Sequence, residues 1–168
     1  AVKVLGPNGG YYSWIIAGID YVSGESAFVD VANMSLGGGP GSCYLPMCSA
    51  ILEAKNVGVA FAVAAGNSND DAVAYTPACC TAALTVSALS DFNGESGGGA
   101  QPTCRNDVDD RLAGFSNYGT AVDITAPGVC ILSTWKNSGY NTISGTSMAS
   151  PHVAGALAVL ASNNHPTA

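Results

Sequence analysis

The 168 residues carry 5 Lys+Arg against 12 Asp+Glu, a formal net charge of −7, and only 10% of them are charged. An apolar share of 48% excludes an extended disordered chain, which combines low hydrophobicity with high net charge. So few basic residues exclude a phosphate-tracking nucleic-acid face, and no apolar run approaches the ~18 residues of a membrane span.

The chain opens with residues 2–5, which read as a short strand stopped by Gly6-Pro7-Asn8-Gly9-Gly10. Over residues 11–23, Trp14, Ile15, Ile19 and Val22 recur at helical spacing and predict an amphipathic helix. Residues 29–34 form a Val-rich strand running into Ser35-Leu36-Gly37-Gly38-Gly39. Residues 48–56 read as a helix, with Ile51, Leu52 and Lys55 on successive turns. Residues 57–65 are a continuous apolar run ending at Gly66-Asn67, the mark of a strand buried on both faces of a parallel sheet. Short strands at 83–88 and 122–125 flank a polar segment, 91–111, whose Gly97-Gly98-Gly99 and Asp109-Asp110 show no periodicity and mark a solvated insertion. Residues 131–135 and 140–144 predict a hairpin around Lys136-Asn137-Ser138-Gly139. Residues 147–161, small and apolar throughout, predict a buried helix with Pro151 in its first turn. Strands alternating with helices predict an α/β fold, a mostly parallel sheet with helices on both faces.

Six cysteines with few lysines suit an oxidising, extracellular compartment, and no C-x2-C spacing supports a metal–thiolate site. Cys43 and Cys48 flank a short Pro-containing loop that they can close locally. The adjacent Cys79 and Cys80 must each look elsewhere, with Cys104 and Cys130 as candidates. No leader pattern opens the chain at Ala1, so a leader is expected to have been removed or the natural N-terminus to lie elsewhere.

The most informative segment is Gly145-Thr146-Ser147-Met148-Ala149-Ser150-Pro151-His152-Val153-Ala154-Gly155. A loop delivers Ser147 to the start of an apolar helix, where the unpaired N–H groups of the first turn suit an anionic intermediate. A Ser before a helix is by itself only a cap. This segment, however, resembles the nucleophile motif of the subtilisin-like serine proteases, the subtilases. Lys3-Val4-Leu5-Gly6 with Tyr12-Ser13-Trp14-Ile15-Ile16, Asn33-Met34-Ser35-Leu36-Gly37-Gly38, Ala64-Ala65-Gly66-Asn67, Phe115-Ser116-Asn117-Tyr118-Gly119 and Ala126-Pro127-Gly128 match the family in the same order.

The resemblance implies that residues 1–168 are part of one peptidase catalytic domain, with Ser147 as nucleophile and Asn67 as oxyanion donor. The family's Asp and His lie in D-S/T-G and H-G-T-H motifs, which this chain does not contain. His152, on the nucleophile's own helix, is expected to pack, and His165 falls in a polar tail. The chain alone is therefore expected to be inactive, with the N-terminal part of the same domain as its partner. A family-derived binding or structural module is the competing reading.

Protein substrate is expected to bind as an added strand between Ser35-Leu36-Gly37 and Gly9-Gly10. The specificity pocket is expected to be walled by Ser35-Leu36-Gly37 and Ala64-Ala65-Gly66, with Ala74 and Tyr75 near its floor and large apolar side chains preferred. The chemistry needs no cofactor, but the resemblance implies a structural calcium at Asp123 with carbonyls near Thr81 and Ala83. Met148 is expected beside the oxyanion hole.

Overall fold

The computed structural model describes residues 1–164. In chain order they form α1 (Tyr12–Gly24), β1 (Val31–Met34), α2 (Leu45–Asn56), β2 (Ala60–Ala64), β3 (Leu84–Ser90), β4 (Arg111–Leu112), β5 (Ile124–Pro127), β6 (Ile131–Trp135), β7 (Gly139–Ile143) and α3 (Thr146–Asn164). β1, β2 and β3 are parallel neighbours, in a register that sets Met34 against Val63 and Ala64 against Val86. β5 adds in parallel to the other side of β3, and β4 pairs antiparallel with its end. β6 and β7 form a separate hairpin.

Alternation along β2 explains the layering. Phe61 and Val63 point into one core with Ile15 and Ile19 of α1 and Met47, Ile51 and Ala54 of α2. Ala62 points into the opposite core, with Val86, Ala88 and Ala126 of the sheet and Ala149 and Val153 of α3. An apolar run without polar alternation suits a strand covered on both faces. The fold is accordingly α/β, a mostly parallel sheet between helices.

Several expectations need correction. Residues 2–5 join no sheet: a strand needs a ladder partner, and these residues instead pack on α1, where a Cβ at Gly18 would run into Val4. The cysteines pair as Cys43–Cys79, Cys48–Cys80 and Cys104–Cys130, so Cys43 and Cys48 do not close their own loop. Cys48 lies within α2, whose rigid backbone carries it to the neighbouring Cys80.

The segment 91–111 is solvated only in part. Asp109 is buried, its two carboxylate oxygens accepting from the Phe92 and Ala100 N–H groups. Asp110 accepts from Gly97 and Gly98, so a loop without periodicity is organised by side chains rather than by a ladder. α3 is buried only in its first half, and Val159 and Leu160 are exposed. Its 19 residues span about 28 Å, whereas strands of four to seven residues span roughly 13–24 Å, so the helix outruns the sheet. Pro151 is the sixth residue of α3 and lies inside it, beyond the first turn.

Candidate active site

β2 delivers the chain to Gly66, whose φ of +106° lies in the left-handed region that L side chains avoid. A Cβ there would also run into the Asn117 amide. Asn117 is fully buried; its Nδ2 donates to the Ala65 carbonyl at 2.9 Å, and its Oδ1 accepts from Ser68 N at 2.9 Å and Asp70 N at 3.3 Å. One buried amide therefore holds the whole turn after β2.

Asn67 sits in that turn. Its Oδ1 accepts from the Thr146 backbone N–H at 2.8 Å and from the Thr146 hydroxyl at 3.0 Å. Two donors on one atom fix the amide: the oxygen must face Thr146, and Nδ2 turns away as a donor. The Thr146 hydroxyl also accepts from Gly66 N at 3.1 Å. The end of β2 and the start of α3 are thus tied directly together.

Ser147 follows as the second residue of α3, half-buried. The Gly145 carbonyl takes the Met148 and Ala149 N–H groups at 2.9 and 3.3 Å. Helix geometry leaves the earlier Ser147 N–H with no acceptor inside the helix. Asn67, from the turn after β2, and Ser147, from the start of α3, line one cavity.

This cavity has a volume of about 310 Å³. Leu36 and Gly37 line one side, Ala64, Ala65 and Gly66 the other, and Tyr75, Thr76 and Ala78 close it; no charged side chain contributes. The Tyr75 hydroxyl donates to Asp70 Oδ2 at 3.2 Å. The glycine-rich wall is held by Gly38 N on the Thr76 carbonyl at 2.8 Å, Gly41 N on the Ala74 carbonyl at 2.9 Å and Tyr44 N on Thr76 Oγ1 at 2.9 Å. Ala74 thus supports the wall through its carbonyl rather than lining the cavity. Ser35 does not line it either, because its hydroxyl turns to α3.

Gly9 and Gly10 face a second hollow, which shares Leu36, Gly37 and Gly38 with the first. A third, between α3 and the β6–β7 hairpin, is lined by Ser147, Met148, Pro151 and His152 together with Trp135. His152 does not pack: it is exposed, and its Nδ1–H donates to the Met148 carbonyl at 2.8 Å. His165 lies outside the described residues.

Asp123 is exposed, and its Oδ2 accepts from Thr85 N at 2.8 Å. Thr81 is exposed and Ala83 buried. Among the described residues, two other groups have metal-ligating atoms close together: the four cysteines of the first two disulfides, and Asp91 with Asp109 and Asp110. Sequence reasoning missed Thr146 and Asn117 as the groups that orient the turn. A Thr beside a motif Ser, and an Asn in a matched landmark, were the signals available.

Comparison with known proteins places these residues in context. A model of the subtilase family matches residues 1–167. Alkaline serine exoprotease A of Vibrio alginolyticus is 42% identical over 164 residues, which cover 97% of this chain and 27% of that protein. An extracellular serine proteinase of a Thermus species is 45% identical over 161 residues, covering 94% and 34%. Proteinase R of Parengyodontium album is 42% identical over 173 residues, covering 99% and 40%. Among solved structures, a cold-adapted subtilisin-like serine proteinase superposes with a TM-score of 0.77 at 42% identity, covering 96% of this chain and 53% of that one. The chain therefore spans well under half the length of these curated relatives.

Proposed function

Because this chain belongs to the subtilase family, we propose that it is the nucleophile-bearing part of a secreted serine endopeptidase. The observation that carries the reading is the Asn67 amide, its Oδ1 held by Thr146 so that Nδ2 is left to donate, in a residue that lines the same cavity as Ser147. Ser147 Oγ attacks the scissile carbonyl, and the two donors hold the resulting oxyanion. Loss of one such donor costs about 10²–10³ in kcat, a range measured on a subtilisin.

The base and its orienting carboxylate come from the N-terminal part of the same catalytic domain. A docking place for that part is available: among the described residues β1 is a sheet edge that pairs with β2 alone, and edges are normally covered. Beside it lies an apolar hollow lined by Val2, Val4, Ile15, Ile19, Met34 and Phe61. Three disulfides, and a relative named as extracellular, support secretion.

Without a base the Ser147 hydroxyl stays a weak nucleophile. A fluorophosphonate probe should therefore label the protein carrying the D-S/T-G and H-G-T-H segment, and leave isolated residues 1–168 unlabelled. Labelling of the isolated chain would overturn the missing-base account; no labelling of either would favour a binding module.

Substrate adds as a strand along Ser35-Leu36-Gly37 opposite Gly9-Gly10, with the side chain before the cut entering the uncharged cavity. Peptide-library profiling should show a preference for large apolar side chains there. A strict preference for Lys or Arg would refute this assignment of the cavity.

The calcium reading belongs to the same proposal. Asp123, Thr81 and Ala83 offer only oxygen donors, which fits a hard cation. With Oδ2 committed to Thr85, Asp123 brings one free oxygen, and further oxygens must complete the usual six to eight. Such an ion would brace the segment before β3 and take no part in the chemistry.

A further inference from the structure

Pro151 stands four residues after Ser147, inside α3. In an uninterrupted helix the residue-151 N–H would donate to the Ser147 carbonyl, and proline has no N–H to give. The Ser147 carbonyl is met instead by the Ser35 hydroxyl, from the segment that follows β1, at 2.7 Å. A carbonyl only accepts, so the single hydroxyl proton of Ser35 is committed to it. The two remaining contacts of Ser35 Oγ must then be donated to it: Asn33 Nδ2 at 2.9 Å and the buried Ser150 hydroxyl at 3.1 Å. Ser35 is saturated, with one bond given and two received.

We propose that Ser35 is a positioning residue for the nucleophile, its hydroxyl replacing the N–H that Pro151 lacks and fixing the peptide plane that follows Ser147. The inference rests on the reading of Ser147 as nucleophile and adds a role for Ser35 beyond substrate pairing. The carbonyl it holds belongs to the residue that carries both the attacking Oγ and one oxyanion N–H. A rotation of that backbone would misplace both together. The neighbouring Met148 carbonyl, whose helical donor would be the His152 N–H and so is not removed by the proline, also accepts from the His152 ring Nδ1–H at 2.8 Å.

The test is a double-mutant cycle in the full-length protease. Ser35→Ala leaves the Ser147 carbonyl without its donor, and kcat should fall about five- to tenfold, the equivalent of one net hydrogen bond. KM should change less than twofold. Pro151→Ala gives the helix back its N–H, so Ser35→Ala/Pro151→Ala should recover most of the kcat lost in Ser35→Ala. A substrate-pairing role for Ser35 predicts no such recovery, and a purely structural role predicts a lower melting temperature with kcat unchanged. Additive losses in the cycle, or a Ser35→Ala effect confined to KM, would overturn the proposal while leaving Ser147 as nucleophile. An inactive wild-type protease would overturn the nucleophile reading and this inference with it.

Discussion

At the scale of single residues, the site is built from amides and hydroxyls with few options. Asn67 cannot flip without setting its NH₂ against the Thr146 N–H, and Gly66 cannot carry a side chain without striking Asn117. Met148 is the chemically vulnerable neighbour. From the position of a Cβ on Gly145, its Sδ and both Asn67 amide atoms each lie 3.7 Å away. Met148 is half-buried, whereas Met34 and Met47 are buried. Peroxide should therefore reach Met148 first and place a polar sulfoxide beside the Asn67 amide. Peptide hydrolysis by the full-length protease should fall while its circular dichroism is unchanged, and Met148→Ala should resist. Equal losses in wild type and mutant would remove Met148 from the site. The segments that hold Ser147 and Asn67 stood out in the sequence because each matches a family motif. Thr146, Asn117 and Ser35 act through partners distant in sequence, and no local pattern encodes such a contact.

At the scale of elements, periodicity located most helices and strands to within a few residues, because each buries one face or both. It failed where burial alone does not decide. Residues 2–5 have a strand's composition but find no ladder partner among the described residues, and the disulfides depend on where helices carry their cysteines. The two bridges Cys43–Cys79 and Cys48–Cys80 staple α2 and the stretch before it to the residues just after Ala78, at the cavity floor. Alone, each would close a loop of 36 or 32 residues, for which chain entropy gives about 4 kcal/mol; because the two loops overlap, removing one bridge while the other stays reopens only a short loop, a loss of about 2 kcal/mol. Replacing Cys43 and Cys79 by Ser in the full-length protease should lower its unfolding free energy by about that amount in a denaturant titration. An unchanged midpoint would mean that the bridge constrains nothing the fold does not already hold.

At the scale of the whole molecule, three tiers of connection meet at one end of the sheet: the turn after β2, the start of α3 and the glycine wall. If calcium is bound through Asp123, exhaustive chelation of the full-length protease should lower its melting temperature, with recovery on adding calcium. An unchanged melting temperature would exclude that site. The packing beneath α3 has a wider consequence. The helix meets the sheet through Ala149 and Val153 on Ala62, Ala88 and Ala126. A Cβ on Gly128 would lie 2.6 Å from that of Ala88 and 2.9 Å from the Gly145 carbonyl. The height of Ser147 above the sheet is thus set by methyl groups and a bare α-carbon. One added carbon need not unfold such a layer, yet a shift of about 1 Å at a reacting atom can cost roughly a hundredfold in rate. A chain that drifts at these positions can keep its shape and its bridges while losing the chemistry proposed for Ser147.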